Sequence, residues 1–576
     1  MSPLVQRLLE ERGITDTETF LNPQYEARHD PFLLKGMDVA VARILKAIEK
    51  KERIAVWHDY DCDGIPGGSL LSDFFMKIEY PVRMQVAERN EGYGLNMVGI
   101  QMLADEGVSV LITVDCGITD VAEVALAQSL GIDTIVTDHH LPQAELPPGI
   151  AIINPHQADC TYPEKVLCGT GVAFKLVEGL IRKNSDLRNH YFSWTEGWEK
   201  WLLDLVALAT VADMVPLVGE NRVLVRYGLQ VMARGRRKGL AALLRKERIP
   251  AHSVTEDDIG FSIAPKINAS SRMESPRLGV ELLTTTDDDR ANELANKLVS
   301  LNKARKLEGA RVAKEVKHRL EGLLIQGDII VMGSQEWRPS LLGIAGNNIV
   351  ETYGKTVCLW GLDPAPSGDG QAVTYKGSIR SNGKVNVVDL MVGAKHVFAD
   401  FGGHESSGGF SITAESIHEL PTALQKSFEA LMLHAESPGG GGHREYGGVK
   451  DFAQGVSGPG HSGLLALAEV TDANYVALRQ MAPFGMNNPK PIFRFDRVTV
   501  DRVLRFGKSN EHVRLALSDD EGRDAEAIAF FVTRSSFRDE LDLLSSGDRV
   551  TIDATMDRSY FGGRPSLRLR IENLTM

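Results

Sequence analysis

Acidic and imidazole side chains recur at the ends of short apolar runs in this 576-residue chain. RIAVWHD leads into Asp59-Tyr60-Asp61-Cys62-Asp63-Gly64, VSVLITVD ends on Asp115, TIVTDHH ends on Asp138-His139-His140, and ATVADMVPL carries Asp213 just beyond an apolar helix. Singly, each cluster has an ordinary structural meaning, since DxDxDG runs make turns and helix caps. Gathered together, uncompensated carboxylates repel one another and lose hydration at high cost, so the set makes sense when divalent cations neutralise it. Mixed Asp and His donors without a thiolate suit manganese or magnesium, and imidazole favours the softer manganese. Two such ions about 3.5–4 Å apart can share a hydroxide and hold a phosphodiester for in-line attack. The expected chemistry is hydrolytic phosphoester cleavage.

Convergence requires a scaffold, and the pattern from about 37 to 156 supplies one. Five β-rich runs, at 53–59, 82–89, 108–115, 134–140 and 151–156, alternate with amphipathic helical stretches, as in a doubly wound parallel sheet. Ligands of open parallel sheets gather at the carboxyl ends of the strands, where the acids stand. Residues 286–322 predict a long polar helix with Leu294, Leu298, Leu301 and Val312 on a narrow stripe, a connector between two lobes. A second α/β unit spans about 326–435, and the Gly-dense segment after it, 436–460, predicts a flexible joint. After a helical stretch near 462–481, alternating runs within 492–575 predict a small five-stranded barrel, with Gly562-Gly563 in its last hairpin. The expected domains are therefore 1–285, a connector at 286–325, 326–435, the joint, and 461–576.

Composition bounds the alternatives. Hydrophobic residues are 43% and charged residues 24%, which excludes wholesale disorder and collagen-like or coiled-coil architectures. The N-terminus lacks an apolar signal core and the most apolar stretch carries Asp204 and Asp213, so neither export nor a membrane span is expected, and the expected location is cytoplasmic. Five cysteines without a CxxC pair fit reduced thiols better than disulfides or zinc. A net charge of −13 excludes a protein that coats nucleic acid over its whole surface, so any such site is local. The segment 487–576 is charge-neutral, and Arg564, Arg568 and Arg570 fall on one face of its last strand, with Phe506, Phe530 and Tyr560 as candidate stacking residues.

DYDCDG, VDCG, TDHH and ATVADMVPL resemble the ordered motifs of the DHH phosphoesterase superfamily. With ERNEGYGL, AIINPHQADCTYP, CGTGVAFKL, IAPKINASSRM, GSIRS, GGHESSGGF and PFGMNNPKPIF, the chain resembles the RecJ family of that superfamily over nearly its full length. The resemblance implies a DHH parallel-sheet domain, a connector helix, a DHH-associated α/β domain and a C-terminal OB-like barrel. It implies a single-stranded-DNA exonuclease of 5′ to 3′ polarity that releases nucleoside 5′-monophosphates, acts in repair and recombination, uses two divalent cations, and works with single-strand-binding protein and a helicase. Carried over by position, Asp61, Asp63, Asp115, His139 and Asp213 would bind the metals, with Asp115 as bridge and Asp138 orienting an imidazole. His140 would touch the scissile phosphate or act as an acid. Arg89 and Arg272 would hold backbone phosphates, while Ser378, Arg380 and His404 would hold the terminal one.

Some positions depart from the family pattern. Trp57 stands where relatives have a histidine, so one metal takes Asp59 or water instead, or His58 reaches in; the first is favoured. Cys62 replaces a small residue, Arg338 a histidine and Ser340 a glycine. Two other functions are compatible with the residues: cleavage of oligoribonucleotides or cyclic dinucleotides at the same centre, and a non-catalytic strand-binding scaffold.

Overall fold

The computed structural model describes the chain except for residues 90–91, 186–190, 322–326, 363–372, 436–461, 508–509, 533–534, 536 and 560–564. The Gly-rich joint at 436–460, together with Tyr560, Gly562, Gly563 and Arg564, lies outside the described residues, as does the side chain of His404. Two compact units form: Asp30–Asp213 with Gly228–Gly448, and Met1–His29 with Met214–Tyr227 and Val449–Met576.

In the former unit, β1 (Ile54–His58), β2 (Val82–Val86), β3 (Val110–Val114), β4 (Asp133–Thr137) and β5 (Ala151–Ile153) make a parallel sheet in the order β2-β1-β3-β4-β5. Strands covered on both faces read as continuous apolar runs, and β1 and β3 are buried at every position. The register aligns His58 with Val114 and Val114 with Thr137. The ladder continues one step beyond the strands: Asp59 N–H donates to Val114 O (3.2 Å), Asp115 N–H to Thr137 O (3.0 Å) and Asp138 N–H to Ile153 O (3.1 Å). Three carboxylates therefore leave the sheet at one level.

Period-2 alternation decides what happens at the departure in β1. Trp57 packs with Leu103, Leu111 and Ile132 on one face. His58 lies on the other, its ring against Gly68 of helix Gly64–Lys77. Its Nδ1 is 2.7 Å from the backbone oxygen of Asp59.

Helix Asp288–Leu320, 33 residues capped by Asp287, joins this sheet domain to a second lobe. At 1.5 Å per residue it is about 50 Å long. Its first half buries Ala291, Leu294, Ala295 and Leu298. Its second half buries Val312, Ala313, Val316 and Leu320 in one cluster with Trp337, Leu342 and Ile349 of the second lobe. The expected stripe shifts in the middle: Leu301 is half-buried, and Asn302 takes the inward position, where it accepts from Arg305 Nε (3.0 Å) and Nη2 (2.9 Å).

The second lobe holds β6 (Ile329–Ser334), β7 (Thr356–Leu362), β8 (Thr374–Arg380), β9 (Asp400–His404) and β10 (Ser407–Thr413) in the order β6-β7-β8-β10-β9. Within this sheet only the β6–β7 pair is parallel. Helix Pro339–Tyr353 packs Leu342, Ala345 and Ile349 with Val357 and Leu359 of β7.

In the other unit, β11 (Phe493–Phe506), β12 (His512–Ser518), β13 (Asp524–Ala529), β14 (Arg549–Ser559) and β15 (Ser566–Thr575) close as a barrel, β11-β12-β13-β15-β14. Closure removes the free edges that would otherwise recruit other strands. Phe493, Phe495, Leu515, Ile552 and Leu569 fill its interior. Arg568 is held by Asp557 at 2.8 Å, and Arg570 faces Glu572 at 3.5 Å. The rings of Phe506 and Phe530 flank His512, with centroids 5.1 and 5.4 Å away.

Leu298 is fully buried where the connector meets the sheet domain. Leu298→Ala is expected to cost about 2–5 kcal/mol of stability, read as a fall in the urea midpoint of the first unfolding transition.

Candidate metal centre

The turn after β1 is fixed by its own acids. Asp61 Oδ1 accepts from Asp63 N–H (2.8 Å) and Gly64 N–H (3.2 Å), opening helix Gly64–Lys77. Asp63 carries its carboxylate to a second helix start, accepting from Gly169 N–H at Oδ2 (2.6 Å) and Thr170 N–H at Oδ1 (2.7 Å). A helix N-terminus favours a carboxylate there. Gly169 cannot carry a side chain, because a Cβ would lie 2.6 Å from the Cβ of Asp115. Asp115 itself adopts the left-handed conformation, φ 62°, which costs a non-glycine residue energy and aims the carboxylate back over the rim.

After β4, Asp138 organises both histidines. Its Oδ1 accepts from His139 N–H (2.7 Å), His140 N–H (3.1 Å) and His140 Nδ1 (2.8 Å), and its Oδ2 from Ile118 N–H (3.0 Å). Burial works against its charge, but the hydrogen bond and charge of His140 prevail and hold the carboxyl below its ordinary value. Asp213 caps helix Leu203–Ala212 at its C-terminus.

These residues converge on two groups. Asp59, Asp61 and Asp115 offer oxygens within 4.8 Å of one another, and the donor atoms of Asp63, His139 and Asp213 meet the same limit. Asp115 also joins a third such set with His139 and His140, so it stands between the two. His139 Nε2 lies 3.1 Å from Asp115 Oδ1, 3.7 Å from Asp63 Oδ2 and 3.8 Å from Asp213 Oδ2. Asp115 Oδ1 and Asp59 Oδ1 are buried with no hydrogen-bond donor. Cis ligands about 2.1 Å from one cation lie about 3 Å apart, so the facing Asp115 oxygen and His139 nitrogen have the spacing of two donors aimed at one ion. The residues present therefore fit divalent cations.

Electrostatics agrees with the donor set. Burial, followed by repulsion from Asp63, Asp61 and Asp59, drives Asp115 well above the carboxylate range. Burial and Asp61 do the same to Asp59. Asp213 rises to about 8 through burial and then Asp63 and Asp61. Burial lowers His139 below the ordinary histidine value, leaving the neutral imidazole that ligates metals. At His140, burial is outweighed by Asp138, and the ring rises to about 9.

The structure thus brings together Asp61, Asp63, Asp115, His139 and Asp213, with Asp138 and His140 beside them. Asp59 belongs to the cluster, whereas His58 points across the sheet to Gly68 and its Nδ1 is occupied. Arg89 stacks its guanidinium 4.1 Å from the centre of the Tyr60 ring and donates to Ser271 Oγ (3.1 Å), next to Arg272 in sequence. Arg380 donates from Nη1 to Ser378 Oγ (2.7 Å) and lies against Gly343, where a Cβ would meet its Nη2 at 2.1 Å.

Several participants carried no chemical assignment in the sequence. Tyr93 OH donates to Asp115 O (2.8 Å) and is 3.0 Å from His140 Nδ1. Asn268 Oδ1 accepts from Cys62 N–H (3.1 Å), and Asn154 Nδ2 donates to His140 O (2.8 Å). Each sits in a motif quoted above, ERNEGYGL, INASSRM or AIINPH, which marks the segment but not the role.

Comparison with known proteins places these features in context. Residues 53–210 match the DHH family, N-terminal domain, 326–431 the DHHA1 domain and 462–573 the RecJ OB domain. The chain is 30% identical over 579 residues to the single-stranded-DNA-specific exonuclease RecJ of Bacillus subtilis, covering 100% of this chain and 68% of that one. It is 31% identical over 592 residues to the protein of the same name from Dickeya dadantii, covering 99% and 96%. The crystal structure of RecJ in complex with Mn2+ from Thermus thermophilus superimposes with a TM-score of 0.76 at 25% identity, covering 100% of this chain and 76% of that one.

The raised carboxyls have a definite pH signature. A carboxyl whose folded value lies above its unfolded one stabilises the fold at low pH and loses that contribution as pH rises through the folded value. For Asp213 the window runs from about 4 to about 8, and Asp59 and Asp115 act in the same direction. In chelator, the melting temperature is expected to fall from pH 5 to 8. Saturating Mn2+ should raise it more at pH 8 than at pH 6; differential scanning fluorimetry measures both.

Proposed function

The chain belongs to the RecJ family of single-stranded-DNA-specific exonucleases, and on that premise we propose that it hydrolyses single-stranded DNA from the 5′ end at this centre, releasing nucleoside 5′-monophosphates. The observation that carries the proposal is the pair of donor groups meeting at Asp115, with two buried carboxylate oxygens lacking any donor. Asp59, Asp61 and Asp115 would hold one cation, and Asp63, His139, Asp213 and Asp115 the other, manganese by preference and magnesium also. When bound, such a pair lowers the pKa of water and neutralises charge on the phosphate.

The chain's own groups do the rest. Asp138 fixes the His140 ring and raises its proton affinity, so His140 serves as the donor to the leaving O3′. Tyr93 OH anchors the Asp115 carbonyl and the His140 ring together. Arg272 and Arg380 are half-buried guanidiniums with no carboxylate partner among the described residues, and both lie on helix Pro339–Tyr353: Arg272 Nη1 donates to Ser340 O (2.9 Å), and Arg380 crosses Gly343 one turn further on. Planar guanidiniums match phosphate oxygens. With Ser378 they form the proposed anchor for the 5′-terminal phosphate; Arg272 is moved there from the backbone role that the resemblance implies because it meets the same helix as Arg380, while His404 stays with the terminal phosphate and Arg89 with the adjoining backbone by resemblance.

Breaking the P–O3′ bond leaves a 3′-hydroxyl on the released nucleotide and a new 5′-phosphate on the strand. Each cut therefore regenerates the group that the anchor holds. Strand binding by the barrel, cytoplasmic location, a role in repair and recombination, and cooperation with a helicase and single-strand-binding protein belong to the same proposal.

A time course on 5′- and 3′-labelled single- and double-stranded DNA, with Mn2+, Mg2+ or chelator, tests it. Mononucleotides appearing first from the 5′ label of single strands are expected; attack from the 3′ end, or cleavage confined to dinucleotides, refutes it. Asp115→Ala should lower the Mn2+-dependent rate by about 10³-fold or more while raising melting temperature in chelator, because a repelling carboxylate is gone. Strand binding should weaken steeply with salt, since each gripped phosphate releases counterions, as titration between about 50 and 200 mM salt would show.

A further inference from the structure

At the two departures in EWRPSLLGI, the second lobe reaches the catalytic lobe directly. Ser340 Oγ donates to the backbone oxygen of Arg272 (2.9 Å), and the Ser340 carbonyl accepts from Arg272 Nη1 (2.9 Å). Arg338 Nη1 donates to Met273 O (3.2 Å). Arg272 and Met273 end helix Ala264–Met273, whose last carbonyls have no partner within the helix. The hydroxyl of Ser340 and the guanidinium of Arg338 supply partners from another lobe.

For Arg272 the consequence is a closed ring of two hydrogen bonds, one from each residue, that ties its main chain and its guanidinium to the same serine. Among the described residues the Arg272 guanidinium has one hydrogen-bond acceptor, the Ser340 carbonyl. Guanidinium carries five N–H donors, so four remain. Burial and the nearby Arg89 and Arg305 make its charge costly, holding the group down to about 9, and an arriving phosphate would relieve that cost. Ser340 also precedes Gly343 by one helical turn, and Gly343 is where Arg380 crosses the same helix.

We infer that Ser340 is a positioning residue for terminal-phosphate recognition: its hydroxyl and carbonyl clamp Arg272 so that the guanidinium of the catalytic lobe and that of Arg380 address one phosphate. The inference rests on the assignment of Arg272, Arg380 and Ser378 to the 5′-phosphate. A serine can make both bonds, whereas glycine or alanine keeps only the carbonyl.

The experiment compares kcat and KM on single-stranded 20-mers bearing a 5′-phosphate or a 5′-hydroxyl, with unaltered enzyme, Ser340→Ala and Ser340→Thr. The unaltered enzyme is expected to prefer the phosphorylated strand. Ser340→Ala should reduce that preference by about fivefold or more, as loss of one hydrogen bond does, chiefly through KM on the phosphorylated strand. Ser340→Thr keeps the hydroxyl and should restore most of it. The ratio between the two substrates does not depend on how much enzyme is folded, so a destabilised variant still gives an answer. Full preference retained by Ser340→Ala overturns the role of Ser340 alone, and absence of preference in the unaltered enzyme overturns the phosphate assignment beneath it.

Discussion

Mutual repulsion among buried carboxylates is the constraint on which this structure turns. Burial, and after it repulsion from their neighbours, raises the proton affinity of three of these acids: Asp61 acts on Asp59, Asp63 and Asp61 act on Asp115 and Asp213, and Asp59 acts also on Asp115. A hydrophobic core gains nothing from such a cluster, and ion pairing does not rescue it: among the described residues no lysine or arginine is paired with Asp59, Asp61, Asp63, Asp115 or Asp213 within 4.0 Å. Two ways of relieving the charge remain, protonation and divalent cations. Everything around the cluster holds it open to the second. Asp63 is tied to a helix N-terminus, Asp115 is bent into a left-handed turn beside Gly169, and Asp138 spends all its hydrogen bonds on the two histidines and Ile118.

Much of this was legible in the residues because parallel strands announce themselves twice, by unbroken apolar runs and by the acids at their carboxyl ends. The expected strand at 108–115 is observed at Val110–Val114, and the acid expected at its end is the residue that leaves the sheet. The DxDxDG run shows why its two meanings did not compete. Asp61 fixes the turn before the helix with one oxygen, which accepts from Asp63 and Gly64 N–H, and joins the cluster through the same carboxylate. What remained hidden depended on contacts between distant segments. Strand parity, which sends His58 to Gly68 and leaves Asp59 among the acids at the rim, could not be read beside Trp57 because it depends on where the strand ends. Tyr93, Asn154 and Asn268 act through backbone atoms, and a backbone partner leaves no trace in the chemistry of the neighbouring sequence. The connector stripe failed at Leu301 because Asn302 satisfies Arg305 from the inner side, a gain that hydrophobic periodicity does not register.

The two lobes of the larger unit are coupled in two ways that differ in kind. The connector helix is apolar glue, with its first half buried on the sheet domain and its second half in the core around Trp337. Such contacts are non-directional and hold the lobes together without specifying which groups meet. The hydrogen bonds from Ser340 and Arg338 to the end of helix Ala264–Met273 are directional and few. They decide where a guanidinium of one lobe stands relative to a strand of the other. Apolar cohesion and directional placement are thus supplied by different residues of one segment, Trp337 and Leu342 by packing in the core and Arg338 and Ser340 by hydrogen bonds.

The two donor groups are chemically unequal. Asp59, Asp61 and Asp115 offer only carboxylate oxygens, a hard set that magnesium and manganese both accept. Asp63, Asp213 and His139 include an imidazole, which discriminates in favour of manganese. The imidazole of that group belongs to His139, whose backbone N–H donates to Asp138. Asp213, a third exposed, is the most open member of that group. The group with the imidazole thus includes a carboxylate open to solvent, whereas two of the three carboxylates in the all-oxygen group, Asp59 and Asp115, are buried.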